Sequence, residues 1–115
     1  MKLNHLALGA KNVEACGRFY CDYFGFRRGR EDAGYGLLLN QDEFVLVIDE
    51  VEDVPELPSW LHYGFYCDTH GEVRALFDRM KSDGVRIAEE LSEQGRFLVF
   101  FCFDPEGYRV EVRGG

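Results

Sequence analysis

The chain has 115 residues, 46% of them apolar and 15% aromatic, with 21 acidic against 13 basic side chains and a formal net charge of −8. That length supports one compact domain (1–115) and not two independent cores. Such acidity argues against neutralising a phosphate backbone, and no run approaches the roughly 18 apolar residues of a membrane span, so neither nucleic acid nor membrane is an expected partner and a cytoplasmic location is.

In chain order, the first strand candidate is LNHLAL with His5 at its centre. A helical pattern follows from about Asn12 to Phe24, with Val13, Cys16, Phe19, Tyr20 and Phe24 at three and four spacing, Asn12 as N-cap and Gly25 as stop. Three short strands come next, at 26–31, 35–39 and 44–49, separated by turns at 32–34 and 40–43. Residues 50–58, acidic and holding two of the three prolines, read as a linker.

The same order then repeats. A strand with His62 (WLHYGFYC) leads to a helix from about Glu72 to Ser82, stopped near Gly84. Strands follow at 85–89, 96–103 and 108–113, with turns at 92–95 and 104–107. The pattern is βαβββ twice, with module one at about 1–50 and module two at about 59–115. An α+β fold is therefore expected, with two tandem modules whose curved mixed sheets form a cup-shaped cavity and carry their helices on the outer face.

Strand alternation assigns the faces. Val110 and Val112 belong to the helix side of the last strand, which puts Arg109, Glu111 and Arg113 on the concave side. The same parity groups Leu3, His5 and Ala7, and separately His62, Gly64 and Tyr66. Polar residues on an inward face need partners. Two histidines at equivalent points of a repeat, with one carboxylate, form a donor set that holds a divalent metal and leaves positions open for substrate.

Other features read as structural. Cys16, Cys21, Cys67 and Cys102 contain no CxxC pair and lie in apolar or amphipathic segments, as small buried hydrophobes do. Arg27, Arg28 and Arg30 could grip an anion, but Glu31 and Asp32 follow at once, so the run reads as the solvated side of a strand. Phe97, Val99, Phe101 and Phe103 oppose Leu98, Phe100 and Cys102 in a strand apolar on both faces. One face is buried under the helix, and the other lines a pocket or an interface. His70 reads as a solvated histidine in a turn at 68–71.

The segments NHLAL, FYCDYFGF, HYGFYCD and FDPEGYRVEV, spread over the whole chain in order, resemble the vicinal oxygen chelate superfamily. That group holds glyoxalase I, extradiol dioxygenases, and fosfomycin- and bleomycin-resistance proteins. The resemblance implies that His5, His62 and Glu111 ligate a divalent metal (Zn, Ni, Mn or Fe(II)), that Glu111 is also the catalytic group, and that the chain is a homodimer acting on a small molecule. Val47, Tyr66, Phe101 and Arg109 are the expected substrate-binding residues.

One departure stands out. Glyoxalase I adds a fourth ligand on the fourth strand, and laying 40–47 over 104–111 sets Val47 opposite Glu111; Asp49 has the right parity but lies two residues further on. Two functions follow as expectations. One is a metal-dependent lyase, isomerase or ring-cleaving dioxygenase whose metal chelates vicinal oxygens of its substrate. The other is a non-catalytic protein of bleomycin-resistance type, which sequesters a cationic or aromatic drug or metabolite with Trp60 and an acidic cleft.

Overall fold

The computed structural model describes residues 1–115. The chain divides into two compact units, Met1–Glu56 and Leu57–Gly115. In the first, β1 (His5–Ala10) leads through α1 (Val13–Phe24) to β2 (Arg27–Arg28), β3 (Leu37–Leu39) and β4 (Val45–Glu50). In the second, β5 (Tyr63–Cys67) leads through α2 (His70–Ser82) to β6 (Ile87–Gln94), β7 (Phe97–Phe103) and β8 (Arg109–Gly114). No helix is long and apolar enough to cross a membrane.

Both sheets have one topology. Their strand orders are β1-β4-β3-β2 and β5-β8-β7-β6, with the first pair parallel and the others antiparallel. The two-module α+β reading of the sequence is the observed one. Each helix covers one face of its own sheet. Leu8, Cys16, Tyr20, Leu38 and Leu46 are buried in the first unit, and Val73, Met80, Phe100, Cys102, Val110 and Val112 in the second.

Local chemistry sets the boundaries. Asn12 caps α1 by accepting from the Ala15 N–H at 3.0 Å, and Gly25 closes it with φ 73°. Each unit also builds the same turn ahead of its last strand. Asp104 Oδ1 accepts from the N–H groups of Glu106 and Tyr108, both at 2.9 Å, and Asn40 Oδ1 accepts from those of Asp42 and Phe44, also at 2.9 Å. The left-handed residue of this turn is Gly107 (φ 95°) in one unit and Glu43 (φ 61°) in the other.

Four sequence expectations are corrected. The strand expected at 26–31 pairs only at Arg27 and Arg28, because Glu31–Ala33 coil into a 3-10 turn. Tyr35 leaves β3 to pack against α1 at Gly17. The turn expected at 92–95 is tighter, since β6 pairs as far as Gln94 with Phe97. Finally, α2 begins at His70 and not Glu72. Thr69 accepts from the Glu72 N–H at 3.1 Å, and the Glu72 carboxylate accepts from the Asp68 N–H at 3.0 Å, a reciprocal cap that draws His70 into the first turn. His70 is therefore no loop residue: its Nε2 donates to the Arg96 carbonyl at 2.7 Å.

Candidate functional site

The second unit gathers the candidate residues on the sheet face opposite α2. On β8, Val110 and Val112 are fully buried, while Arg109, Glu111 and Arg113 project from the other side. His62 stands one residue before β5, not within it as the sequence reading had it, yet it keeps the parity of Gly64 and Tyr66. Its Nδ1 lies 3.0 Å from the Trp60 carbonyl, which can only accept, so Nδ1 carries the proton and Nε2 presents a lone pair when the ring is neutral.

That lone pair faces Glu111. His62 Nε2 lies 3.6 Å from Glu111 Oε2, too far for a good hydrogen bond. Two donors sharing one metal at bonds of about 2.0–2.2 Å stand roughly 3–3.5 Å apart, so the pair fits a shared ion better than a direct contact. A carbonyl that fixes the tautomer of a ligating histidine is the usual support behind such a site. The remaining carboxylate oxygen, Oε1, is 3.8 Å from Arg113 Nη1.

The other residues form the walls. Phe101 meets the His62 ring edge-on at 5.1 Å and 84°, and the Arg109 guanidinium lies 5.0 Å from the Phe101 centroid. Arg113 lies over Phe97 at 4.0 Å, and Tyr66, 58% exposed, touches Phe97 edge-on. Gly64 pairs with Glu111 across the β5–β8 ladder, where a Cβ would sit 2.7 Å from the Glu111 carbonyl oxygen. Only glycine leaves that approach open.

In the first unit, His5 opens β1 exposed to solvent. Its Nδ1 lies 2.8 Å from Asn4 Oδ1, so here too Nε2 is the free nitrogen when Asn4 accepts. The ladders confirm the alignment of the two halves: Ala7, two residues after His5, pairs with Val47, as Gly64, two after His62, pairs with Glu111. Val47 thus holds the place of Glu111 in its own unit, and Asp49 pairs further along with Gly9. Within neither unit do three His, Cys, Asp or Glu side chains form a group that could hold a metal.

Sequence reasoning missed Glu89, which receives Arg109 Nη2 at 2.7 Å, and the Trp60 carbonyl. Backbone acceptors leave no mark in residue identity, and β6 was expected to stop at Glu89. The arginine run of β2 is exposed, with Arg28 over the Tyr35 ring at 5.4 Å beside Arg18 at 5.7 Å.

The family model for the Glyoxalase/Bleomycin resistance protein/Dioxygenase superfamily matches residues 2–112. The chain belongs to this superfamily. Among solved structures, it is similar to one described as a possible glyoxalase from Bacillus cereus, with 26% identity, 97% of each chain covered and a TM-score of 0.81. The fosfomycin resistance protein FosX from Listeria monocytogenes shares the fold at 18% identity, covering 100% of this chain and 93% of that one, with a TM-score of 0.84. Lactoylglutathione lyase from Agrobacterium tumefaciens does so at 19% identity, 99% and 93% coverage and a TM-score of 0.70. No curated protein matches the chain. Superfamily members commonly use a divalent metal and bind small molecules, and the His62 and Glu111 donors suit such an ion.

Proposed function

We propose that this superfamily member is a metal-dependent enzyme of the glyoxalase or dioxygenase type, a lyase, isomerase or ring-cleaving oxygenase, with His5, His62 and Glu111 as its ligand set. The carrying observation is the pairing of His62 Nε2 with Glu111 Oε2 at 3.6 Å, with Nδ1 tied back to Trp60. Zinc, nickel, manganese and iron(II) all accept two imidazoles and a carboxylate. A divalent ion held by these residues would supply Lewis-acid stabilisation of the negative charge that develops on vicinal oxygens of a small substrate, an effect of several kcal/mol.

The protein groups have separate tasks. His62 holds its ligand nitrogen in place through the Trp60 carbonyl. Glu111 offsets charge and, by shifting off the ion, would accept the substrate proton, with Arg113 Nη1 standing 3.8 Å from Oε1. Phe101 steadies the His62 ring through an edge-on contact at 5.1 Å, and Tyr66, Val47 and Arg109 contact the substrate. A cytoplasmic homodimer belongs to the same reading.

Glyoxalase-type and ring-cleaving assays, run with each metal and with chelator, test it. Turnover should depend on metal and vanish in Glu111→Ala. A second reading, capture of a cationic or aromatic compound without turnover, draws support from the exposed rings of Trp60 (75%) and Tyr66. Binding heat that persists in chelator, with no metal-dependent turnover, would select it.

A further inference from the structure

Four residues form one row across the second sheet: Glu89 on β6 opposite Phe101 on β7, Phe101 opposite Glu111 on β8, and Glu111 opposite Gly64 on β5. Arg109 lies over this row. Its guanidinium stacks on Phe101 and donates to Glu89, although Glu111 is only two residues away on its own strand. The guanidinium and the His62 ring stand 5.0 and 5.1 Å from the same centroid, so they are no more than about 10 Å apart. A small molecule can touch both.

The two ends of the Arg109–Glu89 pair differ. The Arg109 side chain is 20% exposed and held flat by an aromatic ring, whereas Glu89 is 55% exposed on an edge strand. The ladder slips on both sides of Glu89, so it stands in a bulged stretch, where the backbone re-aims a side chain without breaking the flanking pairs. A solvent-exposed ion pair contributes little, and an oxyanion that meets a preorganised guanidinium with two hydrogen bonds can displace it. Arg113 is not equivalent, because it is placed between Phe97 and Glu111 Oε1.

We propose that the substrate carries an oxyanion group, a carboxylate or phosphonate, that Arg109 binds it, and that Glu89 occupies Arg109 in the free protein and releases it on binding. This deepens the proposed function, resting on it only for where the reacting end of the substrate lies. Glu89 thereby sets a threshold: a ligand must compete with a resident carboxylate, which rejects neutral analogues.

Calorimetric titration of methylphosphonate into the full chain, with chelator present and at low salt, tests the inference apart from any metal. Arg109→Met should weaken binding about tenfold or more, the loss of a charged hydrogen-bond partner. Glu89→Gln should tighten it by about two- to fivefold, as removal of an exposed competitor predicts. Glu93→Gln, the same charge change four residues along β6, should leave the affinity unchanged. Unaltered binding in Arg109→Met, weaker binding in Glu89→Gln, or an equal gain in Glu93→Gln would each overturn the proposal. Should Arg109→Met fail to fold by circular dichroism, the opposed behaviour of the two glutamate variants decides. Absence of metal uptake would count against the metal site and not against this anion subsite.

Discussion

Gly64 and Glu111 face each other across the parallel β5–β8 ladder so closely that a Cβ on Gly64 would lie 2.9 Å from the Glu111 Cβ and 2.7 Å from its carbonyl oxygen. The candidate ligand Glu111 therefore owes its setting to an absent side chain. Gly64→Ala must push β5 from β8 or tilt Glu111. We expect a loss of about 1–3 kcal/mol in denaturant unfolding, the range for overpacking, with metal affinity reduced in the protein that still folds.

Gly17 poses the same question in a helix, where two effects oppose. Alanine would gain about 1 kcal/mol in helix propensity over glycine. Its Cβ would also meet the Tyr35 carbonyl oxygen at 2.8 Å and the Tyr35 Cγ at 3.1 Å, and backbone cannot swing aside as a long side chain does. Packing should win. Gly17→Ala is expected to lower the unfolding midpoint, despite the better helix former.

The turn that launches β8 depends on Asp104, which is 4% exposed and accepts from two backbone N–H groups. Asp104→Ala strands both donors and should cost about 1–3 kcal/mol, whereas Asp104→Asn keeps an acceptor oxygen and should cost less. Asn40→Ala removes the equivalent turn in the first unit and leaves Glu111 untouched. Comparing metal affinity in Asp104→Ala and Asp104→Asn separates the effect of the turn on β8 from that of the lost charge. Asn40→Ala cannot serve for that comparison, because it disturbs β4 where Val45 pairs with His5.

Cys102 gives the stability a pH dependence. Burial, with the nearby Asp104 carboxylate adding to it, pushes its thiol from 9.0 up to about 12. Above pH 9 the unfolded thiol loses its proton while the folded one keeps it. The contribution is thus full below about pH 9 and falls as pH rises toward 12, with a limiting slope of roughly 1.4 kcal/mol per pH unit. Alkaline unfolding curves should flatten in Cys102→Ala. Thiol reagents at neutral pH should reach the half-buried Cys21 and Cys67 before Cys102.

Much of this was legible in the chain. The doubled βαβββ order, both helix cores and the outward parity of Arg109, Glu111 and Arg113 follow from apolar spacing alone, and laying Asn40 over Asp104 anticipated the observed match of Val47 with Glu111. What escaped was set by partners distant in sequence. Tyr35 departs from its strand because Gly17 makes room for it on α1. The acidic stretch of β6 looked like a turn, since an edge strand with charged side chains lacks the alternation that marks a half-buried one. His70 belongs to α2 through the Thr69 and Glu72 cap, and the role of Glu89 depends on Arg109, twenty residues away.

The central claim is that His62 and Glu111 bind one divalent ion, with His5 completing the set. Equilibrium dialysis against manganese or zinc, with the metal counted per chain in wild type, His62→Ala, Glu111→Ala and His5→Ala, tests it most directly. The account predicts about one tightly held ion per wild-type chain, affinity lowered at least tenfold in each variant, and unchanged folding by circular dichroism. A folded wild type that takes up no metal, or variants that bind it as wild type does, would contradict it.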